Sequence, residues 1–477
     1  MSVPLYLTAD LRRMEESARG ATPPLMERAG AAAAALAARI AGERAKDVLV
    51  LAGPGDNGGD ARIVASLLRE RFFRVALATR PDEIPAERRW ALVVDGLFGI
   101  GLSRPIAGDY ARMVEHANRQ RCPVLALDVP SGLDADTGAL HGVAVRATHT
   151  LTFLSMKPGL LMQAGPDHAG EITVADLDVA TAGVRPQAWV ADRELFASVL
   201  RPRPRNFHKG MAGTAGVLGG APGMTGASLL AGRAALKLGA GKVRVGFLAD
   251  DAPSFDAVTP ELMLSHADEV LGTDLDALVA GPGLGTSETA DALLGATLAS
   301  DIPCVVDADG LNLLAQSERL QGACERRRAE TILTPHPAEA GRLLGIPTAE
   351  VQADRIAAAR RIATRYNAHT VLKGTGSVIV ARDGHWFVNA SGNPGLSTAG
   401  TGDVLAGILG ALLAQRLTGE SSAVLGTHLH GCAADELVRD GIGPVGLTAG
   451  ELVDSARRVW NRWLRDRPAL ADPSDAA

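Results

Sequence analysis

Cysteine is scarce in this 477-residue chain: Cys122, Cys304, Cys324 and Cys432 are widely spaced and never form a C-x-x-C pair. That argues against a disulfide framework or a cysteine zinc site and points to a reducing compartment. Aromatic residues make up 4% of the sequence, and the formal net charge is −6. Neither base-stacking platforms nor a basic field for nucleic acid is expected. No apolar run reaches the roughly 18 residues of a membrane span. No basic-then-apolar opening stretch marks an export signal. The expectation is a soluble, cytoplasmic protein with neither nucleic acid nor membrane as partner.

What the chain does have is apolar residues, at 47%, and 54 glycines. The length suggests two or three domains at roughly 150 residues each. The glycine content suits an α/β fold with many tight strand–helix turns. In the first half, residues 8–20 read as a capped helix, and residues 23–41 read as a second helix after Pro23-Pro24. Asp47–Gly53 is a short apolar strand, Gly53–Asp60 a glycine loop, and Ala61 opens a helix. Strand, glycine loop and helix form a unit that binds nucleotide phosphates. The loop is neither a G-x-G-x-x-G fingerprint nor a Walker A loop, so it gives the ligand class and not its identity. Two more apolar strands end in Asp95 and Asp128, the latter leading into Ser131 and Asp134. At the carboxyl ends of a parallel sheet, Asn57, Asp95, Asp128 and Ser131 should converge. Oxygen-only residues suit a hard cation or acid–base work. Asp134, in a Gly-Leu-Asp-Ala-Asp stretch, also reads as a turn former. Strands are expected around 147–153 and 171–177. Residues 178–205, ending in Arg201-Pro-Arg-Pro-Arg205, read as a solvated linker.

The second half repeats the plan with strands at 215–220, 242–248, 277–281, 303–307, 331–334 and 370–373, and a helix at 224–239. Residues 378–380 and 386–388 read as a hairpin around Asp383-Gly384. Asp307 and Asp309 lie at one strand end. Lys373 opens a small-residue loop suited to phosphates. His336 sits between two prolines, which stiffens its backbone and suits a proton handler or a ligand contact. His428 and His430, two apart on a helix, do not share a face and read as packing or polar surface. The most telling stretch is Asn393–Asp403, which holds three glycines and leads into a long apolar segment. Glycine backbones can turn successive N–H groups into one concavity, and the helix start adds free donors, so an anion such as phosphate is expected there. Asp403 could cap that helix. A carboxylate is a poor phosphate ligand, however, and fits better as the base for a hydroxyl attacking the phosphate.

Together, Thr334-Pro-His-Pro337, Asp307–Asn312, Gly281–Gly285 and Asn393–Asp403 resemble the ADP/ATP-dependent NAD(P)H-hydrate dehydratases, of ribokinase-like fold. Gly53–Asp60 and Asp128–Asp134 resemble the NAD(P)H-hydrate epimerases. The fused order is similar to that of the bifunctional NAD(P)H-hydrate repair family, and the match runs over about residues 8–465. The resemblance implies an α/β protein with a Rossmann-like three-layer domain at 1–195 and a ribokinase-like domain at 200–477. It implies epimerisation of R- and S-NAD(P)HX, then ADP-dependent dehydration of the S form to NAD(P)H with release of AMP and phosphate. Potassium in the epimerase half would lie near Asn57, Asp95 and Ser131, and magnesium would come with ADP. Hydrated substrate, NADHX or NADPHX, would meet Asp56, Asn57, Gly58, Gly59, Asp60, Gly99, Ile100, Gly101, Leu102, Ser103, Arg104, Pro105 and Asp128 in the first half. In the second half it would meet Ala227, Gly283, His336 and Asp403. ADP would use Lys373, Gly374, Thr375, Gly376, Ser377 and Gly402. Asp128 and Asp403 would be catalytic. A homo-oligomer is the expected assembly.

The chain departs from the family's usual residues at Asp56 (Asn), Ala61 (Gly), Met211 (Asp) and Ala338 (Gly). An extra carboxylate at Asp56 would repel substrate phosphates. Two other readings fit the same residues. One is a ribokinase-like kinase for a vitamin or sugar alcohol with an N-terminal ligand-binding module, which would accumulate a phosphorylated product. The other makes the first half a sensing or scaffolding module.

Overall fold

A computed structural model of the chain describes residues 2–42, 46–86, 88–179 and 183–466. Residues 180–182 of the expected boundary and 467–477 of the expected second domain lie outside the described residues. The chain forms two compact units, Val3–Trp189 and Val190 onward.

The first unit contains β1 (Pro4–Leu5), α1 (Thr8–Ser17), α2 (Leu25–Ala41), β2 (Asp47–Ala52), α3 (Asp56–Glu70), β3 (Arg74–Ala78), β4 (Leu92–Gly96) and α4 (Gly108–Asn118). It continues with β5 (Val124–Leu127), β6 (His149–Phe153), α5 (Gly165–Ala169), β7 (Glu171–Ala175) and β8 (Ala188–Val190). Six parallel strands lie in the order β3-β2-β4-β5-β6-β7. Alternation along β2 sends Val48, Val50 and Ala52 toward α2 and α3, and Leu49 and Leu51 toward α4. Two apolar faces on one strand make three layers, because each face of a parallel sheet must be covered. The strand order reverses between β2 and β4, where a ligand crevice opens at the carboxyl ends.

The second unit contains β9 (Thr214–Gly219), α6 (Thr225–Lys237), β10 (Lys242–Phe247), β11 (Met263–His266), α7 (Ala267–Leu271), β12 (Ala277–Ala280), α8 (Glu288–Ala299), β13 (Cys304–Val306), α9 (Ala308–Gln316), α10 (Glu318–Glu325) and β14 (Thr331–Leu333). Then come α11 (Pro337–Leu344), α12 (Thr348–Ala353), α13 (Arg355–Tyr366), β15 (His369–Leu372), β16 (Ser377–Val380), β17 (Trp386–Asn389), α14 (Thr401–Ala414), α15 (Gly419–Arg439) and α16 (Ala449–Arg465). Its strands run β17-β16-β15-β14-β13-β12-β9-β10-β11, parallel except for the β15-β16-β17 meander. The reversal here falls between β9 and β12. Helix α14 is apolar all round and buried from Val404 to Ala414. It meets α6 closely because Gly407 has no side chain; a Cβ there would stand 2.1 Å from the Ala231 carbonyl.

Several local expectations change. Helix α3 begins at Asp56 and not at Ala61, so Asn57–Asp60 form its first turn. The glycines there serve packing: a Cβ on Gly58 would fall 1.9 Å from the Gly53 carbonyl oxygen. Helix α1 is capped from a distance, with the Asp136 carboxylate accepting from the Thr8 N–H at 2.7 Å. The expected linker contains β8, and Arg203 within it stacks on Phe207 and donates to the Gly239 carbonyl. Asp134 is a turn former, accepting from the N–H groups of Asp136 and Thr137. His428 and His430 are packing residues: His428 stacks on Trp463, and His430 bonds the Thr401 carbonyl at 2.9 Å.

Candidate functional site

In the first unit a cavity of about 310 Å³ lies at the strand reversal. Asp56, Asn57 and Asp60 line it from α3, with Gly99–Leu102 from the loop after β4, Asp128 after β5 and Lys157 after β6. Among the sequence-derived substrate residues, Ser103, Arg104 and Pro105 are exposed and outside this lining, as are the packed Gly58 and Gly59. Asp128 adopts φ +64°, an unusual backbone for a non-glycine residue. Its Oδ2 accepts from the Ile100 N–H at 3.1 Å, and its Oδ1 lies 2.9 Å from Lys157 Nζ. Lys157 is fully buried and also donates to Thr152 Oγ1 and the Phe153 carbonyl, both at 2.8 Å. Gly99 must lack a side chain, since a Cβ would stand 2.7 Å from Asp128 Oδ2.

Beneath the cavity, Asp95 and Ser131 are locked together. Ser131 Oγ donates to Asp95 Oδ1 at 2.7 Å, and the Ser131 N–H donates to Oδ2 at 2.9 Å. Burial pushes Asp95 up to about 6, against those hydrogen bonds. Asn57 is buried with both side-chain polar atoms unpartnered. A buried amide left that way costs on the order of 1–3 kcal/mol unless a ligand or ion meets it.

In the second unit three loops converge. The Gly281–Gly285 loop follows β12, with Gly281 at φ +134° because a Cβ would strike the Asp307 carbonyl. Asp309 ties it down by accepting from the Gly285 N–H at 2.9 Å. Gly283 and Ala227 adjoin: a Cβ on Gly283 would lie 3.3 Å from the Ala227 methyl. Lys373, at the end of β15, pairs with buried Asp307 at 2.7 Å and lies 4.0 Å from Glu339. Burial opposes its charge, but Asp307 and Glu339 outweigh burial and raise its pKa. Gly402 sits against this pair, with its Cβ position 3.6 Å from Lys373 Nζ.

Asp403 lies in the first turn of α14, whose cap position is Gly400 in left-handed backbone with no side-chain cap bond. Asp403 is thus not the helix cap. Its carboxyl makes no hydrogen bond or ion pair among the described residues. Burial, then the negative charge of Asp307, push it up to about 6, with Lys373 opposing. The N–H groups of Gly402 and Asp403 are among the helix donors without an intrahelical acceptor.

His336 has a role that its sequence context did not reveal. Its Nδ1 accepts from the Ala338 and Glu339 N–H groups, capping α11. The ring proton therefore belongs on Nε2, which lies 3.4 Å from Glu339 Oε1. Burial, then Lys373, lower its pKa. Burial pushes Glu339 up to about 7. Arg355 and Lys157 were also missed. Arg355 is buried and donates to the Thr375 and Leu372 carbonyls at 2.5 and 3.0 Å, holding the 373–377 loop from beneath. Ser377 Oγ closes that loop on the Gly374 carbonyl at 3.1 Å. A lone arginine on a helix gave no signal of this. Lys157, at the turn after β6, gave a weak one.

Comparison with known proteins covers both units. Residues 215–456 match the family model described as NAD(P)H-hydrate dehydratase, and residues 23–91 and 80–159 match that of the YjeF-related protein N-terminus. The bifunctional NAD(P)H-hydrate repair enzyme Nnr of Coxiella burnetii is 37% identical, over 96% of this chain and 99% of its own length. Its namesake from Escherichia coli K12 is 35% identical, over 98% and 96%. The ADP/ATP-dependent NAD(P)H-hydrate dehydratase of Bacillus subtilis, co-crystallised with ATP/Mg²⁺, is 31% identical with a TM-score of 0.52, covering 57% of this chain and 98% of its own. Likeness at this level along nearly the whole length places the chain in the family of bifunctional NAD(P)H-hydrate repair enzymes.

Proposed function

We propose that the first unit interconverts the R and S epimers of hydrated NADH and NADPH, and that the second converts the S form to NAD(P)H with ADP. The observation that carries the second half is the partnerless Asp403 carboxyl, set beside free helix N–H groups and the Lys373–Asp307 pair. Asp403 takes the proton of the C6 hydroxyl as that oxygen attacks the β-phosphorus of ADP, releasing AMP. Lys373 and the Gly402 and Asp403 N–H groups meet the charge on the transferring phosphoryl. Loss of phosphate from C6 and of a proton from C5 restores the ring double bond. Lys373–Ser377 and Gly402 hold the nucleotide, and Ala227, Gly283 and His336 face the hydrated ring. Magnesium enters with the nucleotide as its phosphate complex.

In the first unit Asp128 handles protons at the C6 carbinolamine carbon, with Asp56, Asn57, Asp60 and the Gly99–Leu102 segment around the substrate. The donor set fits potassium: the oxygens of Asn57, Asp95 and Ser131 would hold it, and Asn57 Oδ1 has no protein partner. Bound there, the ion would supply a fixed positive charge under an otherwise acidic cavity. The free cysteines support work in the reducing cytoplasm. A homo-oligomer remains part of this reading.

The test is incubation of a mixture of both epimers with ADP and Mg²⁺, following nicotinamide absorbance. Full recovery is expected. Recovery of only the S fraction would remove the epimerase, and a stable phosphorylated product would favour a kinase.

A further inference from the structure

Asp60 differs from every other carboxylate of the first-unit cavity. It is 8% exposed, yet its carboxyl has no hydrogen bond or ion pair among the described residues. It borders two spaces at once. One is the polar cavity that holds Asp128 and Lys157. The other is an adjoining space of about 270 Å³, where Leu25, Met26, Ala29, Phe153 and Leu154 form an apolar wall and Glu15, Arg19 and Asp56 also border the space. A carboxyl between an apolar wall and other carboxylates is best kept neutral, and a neutral carboxyl has a proton to give. The charged groups around it are Asp128, Asp56 and Glu15, with Lys157 and Arg12 as cations in the polar cavity and Arg19 as the cation of the adjoining space. Burial, then those three negative neighbours, push Asp60 up to about 8. Asp128 contrasts on geometry alone, since the Lys157 ammonium and the Ile100 N–H engage its two oxygens. Asn57, with donor and acceptor both unpartnered in this cavity, marks where a polar ligand group belongs.

We infer that Asp60 is the general acid of the epimerisation, with Asp128 as its base. The inference rests on the epimerase reading above. In the forward step the N1 lone pair forms N1=C6 as the C6–O bond breaks, and Asp60 gives its proton to the departing hydroxyl, which leaves as water. Water then adds to the opposite face of C6, the π pair returns to N1, and Asp128 takes a proton from that water. Exchange with solvent moves the proton from Asp128 and restores Asp60. The apolar wall beyond Asp60 limits where water stands while the iminium exists.

The test uses the full chain and the purified R epimer, following formation of S. Asp60→Asn keeps the shape and removes the proton. Its kcat is expected to fall by about 10²–10⁴-fold with little change in KM. Asp60→Glu is expected to recover part of that loss. Wild-type kcat should decline with rising pH beyond about 8, since the acid must stay protonated, and the residual Asp60→Asn activity should lack that decline. Inversion in H₂¹⁸O should place one ¹⁸O at C6. A wild-type profile flat to pH 10, an Asp60→Asn kcat within twofold of wild type, or inversion without label would overturn the proposal. A wild-type chain that cannot interconvert the epimers would instead overturn the epimerase reading beneath it.

Discussion

Each unit sets a lysine against a buried carboxylate at a strand end, but the two pairs differ in what they leave free. In the first unit Lys157 grips Asp128, the residue read as the base. In the second, Lys373 grips Asp307 and leaves Asp403 unpaired, with burial pushing it up to about 6. The first arrangement fixes the active carboxylate in place and needs a separate proton source. The second spends the lysine on a neighbour, so that the base keeps an appreciable proton affinity and the ammonium stays near the phosphate loop. The same pair of residue types thus supports two proton-transfer strategies, chosen by which acid the lysine meets.

The sharpest way to break this comparison is Asp403→Asn. ADP-dependent recovery of the S epimer should drop by about 10²–10⁴-fold or more, while R-to-S conversion continues, as read by separating the epimers. Equal loss of both would tie the units functionally and end the contrast. Next come the lysines. Lys157→Met leaves Asp128 without its buried partner and should cost about 3–5 kcal/mol in urea unfolding of the first unit. Lys373→Met should cost less stability, because its side chain is 23% exposed, and more in the KM for ADP. The reverse order would show that Lys373 is the structural one.

A third test is acidity. A base must be ionised, so dehydration should weaken as pH falls through about 6, approaching tenfold per pH unit below that. A rate constant unchanged down to pH 5 would reject Asp403 as the base. The smallest effect belongs to Ala61→Gly, which restores the family's usual residue. Ala61 is fully buried, its methyl packed toward Gly96. Losing that methyl and helix propensity should cost about 2 kcal/mol and leave both rates alone. A gain in stability would mean that the methyl is strained.

The sequence made the strand ends and the glycine loops readable because their causes are local. Gly281 and Gly283 need φ values that other residues resist, and Asp95, Asp128 and Asp307 follow apolar runs that can only be buried strands. Helix starts were less readable. The glycine runs before Ala61 and Asp403 look like loops by propensity, yet backbone packing of Gly58 on Gly53 draws one into a helix. Long-range partners left no local trace. Lys157 meets Asp128 from 29 positions away, and Arg355 reaches Thr375 from 20. His336 was readable as a fixed ring, but its cap on α11 was not, because histidine rarely fills that position.

Arg355 also carries an electrostatic consequence. Its guanidinium lies under the 373–377 turn among carbonyl oxygens, and burial lowers its pKa only to about 10, so it stays cationic at any physiological pH. No carboxylate among the described residues is paired with it. Dissolved salt screens buried charge weakly. A diphosphate approaching that turn therefore meets a pull that persists at high ionic strength, where attraction from surface lysines and arginines would have faded.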